Sequence, residues 1–341
     1  MFIIESYSTA VLFCIVTMLC WGSWANTQKL AAGSWRFELF YWDYVLGIVA
    51  LALVSAFTLG SIGEGGRSFV ADLQQASPAN IGSAIWGGVL FNAANILLVA
   101  AIAIAGMSVA FPVGIGLALV IGVIVNYLNA PVGNAGLLFG GMALIVLAIL
   151  LNAFAYRRTA ATSHSTTGTG LSTKGLLLSV VAGCLMGLFY GYVAQAMFPN
   201  FDVPEPGKLS PYTAVVFFAL GILISNLLFN TLLMRRPFVG TPVSYTDYFR
   251  GSGRDHLTGV LGGMIWCLGM SFSILASDKA GPAISYGLGQ GATVVAAIWG
   301  IYVWKEFGGA ARAAAPKGVG TLLNGMLLCY IIGIGLLIVA R

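Results

Sequence analysis

The chain has 341 residues, of which 59% are hydrophobic and only 8% charged, with a mean hydropathy of +0.92. A soluble domain carries about 25% charge, so the solvent of this chain is mostly lipid. The formal net charge of +5 comes from scattered basic residues with no aromatic-interleaved stripe, which excludes nucleic acid as a partner.

Ten runs are long enough to cross a bilayer, near residues 8–27, 38–60, 80–103, 107–129, 134–156, 175–197, 211–234, 257–277, 281–304 and 317–340. The first follows MFIIESYS, which has no basic region, so it reads as a retained helix and not a cleaved signal. Runs three and four, residues 86–128, hold no charged residue, and a turn is expected at Gly106. Shifted by 175, this stretch reappears in residues 261–304: Gly87, Gly88, Gly114 and Tyr127 fall on Gly262, Gly263, Gly289 and Tyr302, Phe91 on Trp266, and Phe111 on Tyr286. Other pairs agree, with Trp21-Gly22 meeting Met186-Gly187 and Gly136–Met142 meeting Gly320–Met326.

The expected fold is therefore an all-α polytopic membrane protein of ten transmembrane helices in two five-helix repeats. The divisions are residues 1–158, a Ser/Thr/Gly-rich cytoplasmic linker at 159–174, and residues 175–341. Five spans per half is an odd number, so the second repeat is expected to be inverted. The segments after spans one, five, seven and nine hold twelve of the sixteen Lys and Arg residues (Lys29, Arg36; Arg157, Arg158, Lys174; Arg235, Arg236, Arg250, Arg254; Lys305, Arg312, Lys317). Arg67, Lys208, Lys279 and Arg341 lie on the opposite side. The chain is thus placed in the cytoplasmic (inner) membrane with both termini outside.

Polar side chains inside spans are costly and have first claim on function. Span one offers Trp21, Ser23 and Trp24, the tryptophans serving either as interfacial anchors or as a platform for a ligand. Span two carries Asp43 among aromatics. It is the proton-coupling candidate, with a salt bridge to Arg36 or an interfacial cap as the structural alternatives. Span three carries Asn92 and Asn95, read as helix–helix hydrogen bonds or as two amides facing a solute. In spans four, eight and nine, Phe111, Trp266, Ser271, Tyr286 and Gln290 put rings at matching depths and polarity at different ones. That is what a pocket straddling a pseudo-twofold needs. The glycines 287, 289 and 291 beside Pro282 either loosen span nine or pack it tightly.

Signs of an enzyme are lacking. Cys14, Cys20, Cys184, Cys267 and Cys329 sit in apolar runs, and His164 and His256 read as loop residues, so no metal or cofactor is expected. Gly60–Ser68 imitates a phosphate loop but lacks its lysine and follows a membrane span.

Ten spans in two inverted halves with glycine-rich spans four and nine resemble the drug/metabolite transporter superfamily. Trp21-Gly-Ser23, Gly262–Gly269 and residues 285–306 resemble the bacterial glucose/ribose porter family. Ile4-Glu-Ser6, Tyr41–Tyr44, Thr58–Gly63, Met107–Val109 and Gly122–Tyr127 resemble the plant ureide permeases. The first resemblance implies import of a neutral sugar, the second of an amide-rich heterocycle such as allantoin or uracil, either facilitated or proton-linked. The expectation is a secondary transporter of a small neutral polar solute, sugar first, ureide or nucleobase second, and a drug or metabolite exporter third. It would work as a monomer or homodimer by alternating access.

Overall fold

A computed structural model describes residues 1–31, 35–105, 107–162, 173–238, 240–304 and 318–341. Among the described residues the regular structure is helical, with no strand. The expected turn at Gly106, most of the linker with His164, and the basic Lys305, Arg312 and Lys317 lie outside them. In order the elements are α1 (Tyr7–Ser23), α2 (Ala25–Ala31), α3 (Phe37–Phe57), α4 (Phe69–Gln75), α5 (Pro78–Ala105), α6 (Met107–Asn129) and α7 (Ala135–Thr162). There follow α8 (Thr173–Ala196), α9 (Pro211–Arg235), α10 (Tyr245–Phe249), α11 (Gly253–Ala280), α12 (Pro282–Gly289), α13 (Ala292–Ile298), a π-helical turn (Trp299–Val303) and α14 (Val319–Val339).

Among the described residues, eight segments are long and apolar enough to cross a membrane: α1 with α2, α3, α5, α7, α8, α9, α11 and α14. Helix α6 adds an apolar stretch over Val113–Asn129. These helices are apolar on every face, as expected where lipid replaces water outside and protein packs inside. Leu228, Leu328 and Ile331 sit on the exposed faces, while Asn92, Asn126 and Asn226 are fully buried.

Two runs expected as single crossings are broken. The first bends at Trp24, between α1 and α2. The ninth divides at Gln290-Gly291, where Gly291 N turns back to Leu288 O at 2.9 Å and Thr293 N to Gln290 O at 3.3 Å. Such i→i−3 bonds tighten the chain into a short non-α turn. Small residues let α1 press against this turn. A Cβ on Gly289 would stand 2.8 Å from the Trp21 ring, and one on Gly22 would stand 2.6 Å from Ala292 O. The glycines therefore form a packing seam here.

Four glycines close two of the helix crossings. A Cβ on Gly47 would overlap the Val260 carbonyl, and one on Gly263 the Tyr44 carbonyl, where α3 crosses α11. A Cβ on Gly221 would overlap the Ile85 carbonyl, and one on Gly88 the Phe218 carbonyl, where α9 crosses α5. Gly47 and Gly221 stand 174 residues apart, and Gly88 and Gly263 stand 175 apart. Without a hydrophobic force between helices in lipid, such close backbone approach supplies the packing attraction.

One end of the bundle is tied shut by polar contacts. The Met1 amino group donates to Gly65 O at 2.6 Å. Buried Asp72 pairs with Arg67 at 2.8 Å and accepts from Ser210 N at 2.7 Å. Lys279 bridges Asp278 and Asp202, and Tyr7 donates to the Ile338 carbonyl.

Candidate functional site

Between the helices lies a cavity of about 640 Å³. Its apolar wall is a run of rings. Trp21 of α1 stacks on Trp266 of α11, with centroids 5.8 Å apart and planes at 12°. Trp266 meets Phe91 of α5 at 4.3 Å, and Phe91 meets Phe189 of α8 at 5.3 Å. The Trp21 indole N–H donates to Trp266 O at 3.2 Å, which locks the first ring in place. Rigid rings of this kind offer stacking area at little entropic cost.

Polar groups enter from different helices: Asn95 from α5, Asn152 from α7, Gln290 at the break between α12 and α13, and Thr293 from α13. The Gln290 and Asn152 side chains take no hydrogen bond from the described residues, and the Asn152 Oδ1 is fully enclosed. Thr293 shares a 2.6 Å hydrogen bond with Tyr330 of α14. An apolar pocket with a few converging amides suits a small polar solute. At the mouth, Lys29 of α2 sits 4.5 Å over the Trp304 ring, whose N–H donates to Asn26 at 2.6 Å. The mouth thus opens at the end opposite the tied one.

Of the residues expected at the site, Trp21, Trp24, Asn95, Trp266 and Gln290 line the cavity. Ser23 sits at its edge, accepting from the Trp299 indole at 2.9 Å. The others stand apart from the lining. Asn92, fully buried, accepts from Tyr41 at 2.9 Å and donates to Ser225 at 2.9 Å, so it joins helices. Tyr286 is buried with its hydroxyl donating to Met186 O at 3.1 Å, and its ring fills the space left by Gly122. Ser271 faces a small gap beside Ala52 and Tyr212. The Phe111 side chain lies outside the described residues. Asn152, Thr293 and Tyr330 were missed. Thr293 was signalled only by lying three residues after Gln290, and Asn152 only as an amide in an apolar run.

Asp43 is 2% exposed and belongs to a second polar cluster. Its carboxylate accepts from the Trp35 indole at 3.1 Å, from the Tyr248 hydroxyl at 2.6 Å and faces His256 Nδ1 at 2.9 Å. The expected partner Arg36 pairs instead with Glu38 at 2.6 Å. His256 is no loop residue: a capping box of Ser252 and Asp255 starts α11 ahead of it and turns it onto Asp43. Burial, then the adjacent carboxylate, push the Tyr248 hydroxyl above its ordinary range, so it stays a donor.

Apolar helices enclosing a cavity describe a multi-pass integral membrane protein. The ureide permease family model matches residues 40–173 and 169–340. The chain belongs to the ureide permease family. It is 24% identical to ureide permease 1 of Arabidopsis thaliana, over 99% of this chain and 98% of that one. It is 25% identical to ureide permease 3 of the same plant, over 83% and 89%. To a probable ureide permease A3 of Vigna unguiculata it is 29% identical over 44% of this chain and 41% of that one. A solved crystal structure shares the fold, with a TM-score of 0.62 at 16% identity over 96% of each chain. The ureide reading therefore replaces the sugar as the better supported of the two resemblances.

Proposed function

We propose that the chain carries a small neutral ureide-class solute, a cyclic ureide such as allantoin or a nucleobase such as uracil, across the membrane as a secondary transporter. The observation that carries this is the cavity itself: stacked rings on one side, with the Gln290 and Asn95 amides in the lining. A flat ring with N–H and C=O edges stacks on indoles and satisfies amides.

The working plan is two inverted five-helix halves rocking about the cavity. It is supported by the glycine crossings, which recur at a nearly constant shift, and by the tied end opposite the open mouth. The Lys- and Arg-rich end, which carries the mouth, is the cytoplasmic one in this plan, and both termini face outside. Proton coupling is assigned to Asp43, a buried carboxylate that accepts from Trp35, just ahead of α3, and faces His256 Nδ1.

Uptake of labelled allantoin, uracil and glucose by vesicles reconstituted with the purified chain tests the reading. Uptake of the first two, competed by each other and not by glucose, is expected. Glucose uptake without allantoin or uracil uptake would sink it.

A further inference from the structure

Asn95 is a cavity amide whose orientation is fixed by the protein from outside the cavity. Ser225 of α9 donates its single hydroxyl hydrogen to Gly221 O at 2.8 Å. Having spent that hydrogen, it can only accept from Asn92, whose Nδ2 stands 2.9 Å away. The Asn92 Oδ1 is thereby turned to Tyr41, which donates to it at 2.9 Å. The Tyr41 oxygen then accepts from Asn95 Nδ2 at 3.1 Å. Every link is set by the one before it, starting from a backbone carbonyl that can only accept. At the end of the chain the Asn95 Oδ1 has no protein partner among the described residues, while the side chain lines the cavity.

Helix packing does not require this chain. At the shifts that relate the glycine crossings, Tyr41, Ser225, Asn92 and Asn95 correspond to Val215, Leu51, Cys267 and Met270. Val215, Cys267 and Met270 are buried and none can form such a relay, yet the crossing of α3 with α11 closes as tightly as that of α9 with α5. One crossing is held by apolar side chains and the other by directed hydrogen bonds.

We infer that Tyr41, held by Asn92 and Ser225, is a positioning residue that makes Asn95 present its carbonyl oxygen to the cavity, where it selects a solute carrying an N–H at that point. This rests on the cavity being the solute site of the proposed permease. Without the Tyr41 hydroxyl the Asn95 amide is free to turn, and the site accepts an N-methylated ring nearly as well as the N–H form.

The test is competition against labelled allantoin uptake in vesicles, comparing hydantoin with its N-methyl derivatives. Losing one neutral hydrogen bond is worth about threefold to tenfold in affinity, so the wild-type chain should prefer hydantoin over one N-methyl isomer by that factor. In Tyr41→Phe the preference should fall to within about twofold while the folded yield stays normal. In an Asn95→Ala background, Tyr41→Phe should change the preference no further, because it acts through the amide. Allantoin uptake with an unchanged preference in Tyr41→Phe, or an independent loss in the Asn95→Ala background, overturns the inference and leaves the permease reading standing. Absence of uptake of both allantoin and uracil by the wild-type chain overturns that reading and this inference with it; where uracil alone is carried, the same competition is read against labelled uracil.

Discussion

Replacing the crossing glycines with alanine should cost stability by an amount the structure fixes in advance. A Cβ on Gly263 would overlap the Tyr44 carbonyl, and one on Gly88 the Phe218 carbonyl. What each methyl strikes is backbone, so no rotamer change relieves it and the helices must part by about 1 Å. Overpacking of this kind costs about 1–3 kcal/mol, and rigid backbone puts these two sites near the upper end. Two other helical glycines supply the opposite sign. Nothing lies within 4 Å of a Cβ built on Gly116 or Gly335. Alanine there meets open space and gains about 0.5–1 kcal/mol from reduced backbone entropy. At about 2 °C per kcal/mol, Gly88→Ala and Gly263→Ala should lower the melting temperature by about 4–6 °C, and Gly116→Ala and Gly335→Ala should raise it by about 1–2 °C. Heating the detergent-purified chain and measuring the surviving monodisperse fraction reads all four. Gly88→Ala melting at or above wild type would refute the packing argument. Clearly unequal losses at Gly88 and Gly263 would argue against the two crossings being copies of one another.

Gln290→Leu should lower ureide uptake tenfold or more, on the order of the loss of a paired amide in an apolar site, while melting stays within about 1 °C of wild type; uptake at the wild-type rate would remove Gln290 from the site. Asp72→Ala strands Arg67 and the Ser210 N–H at the tied end, which should cost about 3 kcal/mol and lower the melting temperature by about 6 °C, and an unchanged melt would show that pair to be idle. Asp43→Asn has the same shape and cannot ionise, its oxygen accepting from the Trp35 N–H and its NH2 donating to the Tyr248 oxygen. It should abolish accumulation driven by a pH gradient and spare solute exchange, and persistent accumulation removes Asp43 from coupling.

The crossing helices were legible because the signal is local. A run of about twenty apolar residues between polar turns declares itself, and α6 begins and ends where its run does. The break at Gln290 was half legible, since glycines and Pro282 announce an irregular segment without saying whether it opens or packs. What the sequence left open depends on which way a helix face turns. Asn92 and Asn95 are three residues apart, about 60° around the helix axis. That angle is enough to put Asn95 in the cavity and Asn92 between α3 and α9. The Asp43 cluster was out of reach for a different reason. His256 stands 213 residues from Asp43 along the chain, and nothing local marks it as a partner until the capping box has placed it in α11.

The lining departs most from the repeat where selectivity would be exercised. At the shift of 175, Trp266 stands opposite Phe91, Gln290 opposite Ile115, and Met270 opposite Asn95. A cavity lined identically from both halves would offer a solute two equivalent poses and could not hold its N–H edge against one particular acceptor. At Phe91 and Trp266 a ring is kept in both copies because stacking tolerates either pose. Amides are kept in one copy only, because a hydrogen bond has a direction and must be aimed. The backbone frame, set by glycines that admit no side chain, can therefore stay duplicated while the polar groups diverge. Substituting glutamine for Ile115, which lines the cavity and stands opposite Gln290 in the repeat, is the way to see this at work: it would add a second amide, and hydantoin selectivity over its N-methyl form should then weaken without loss of uptake.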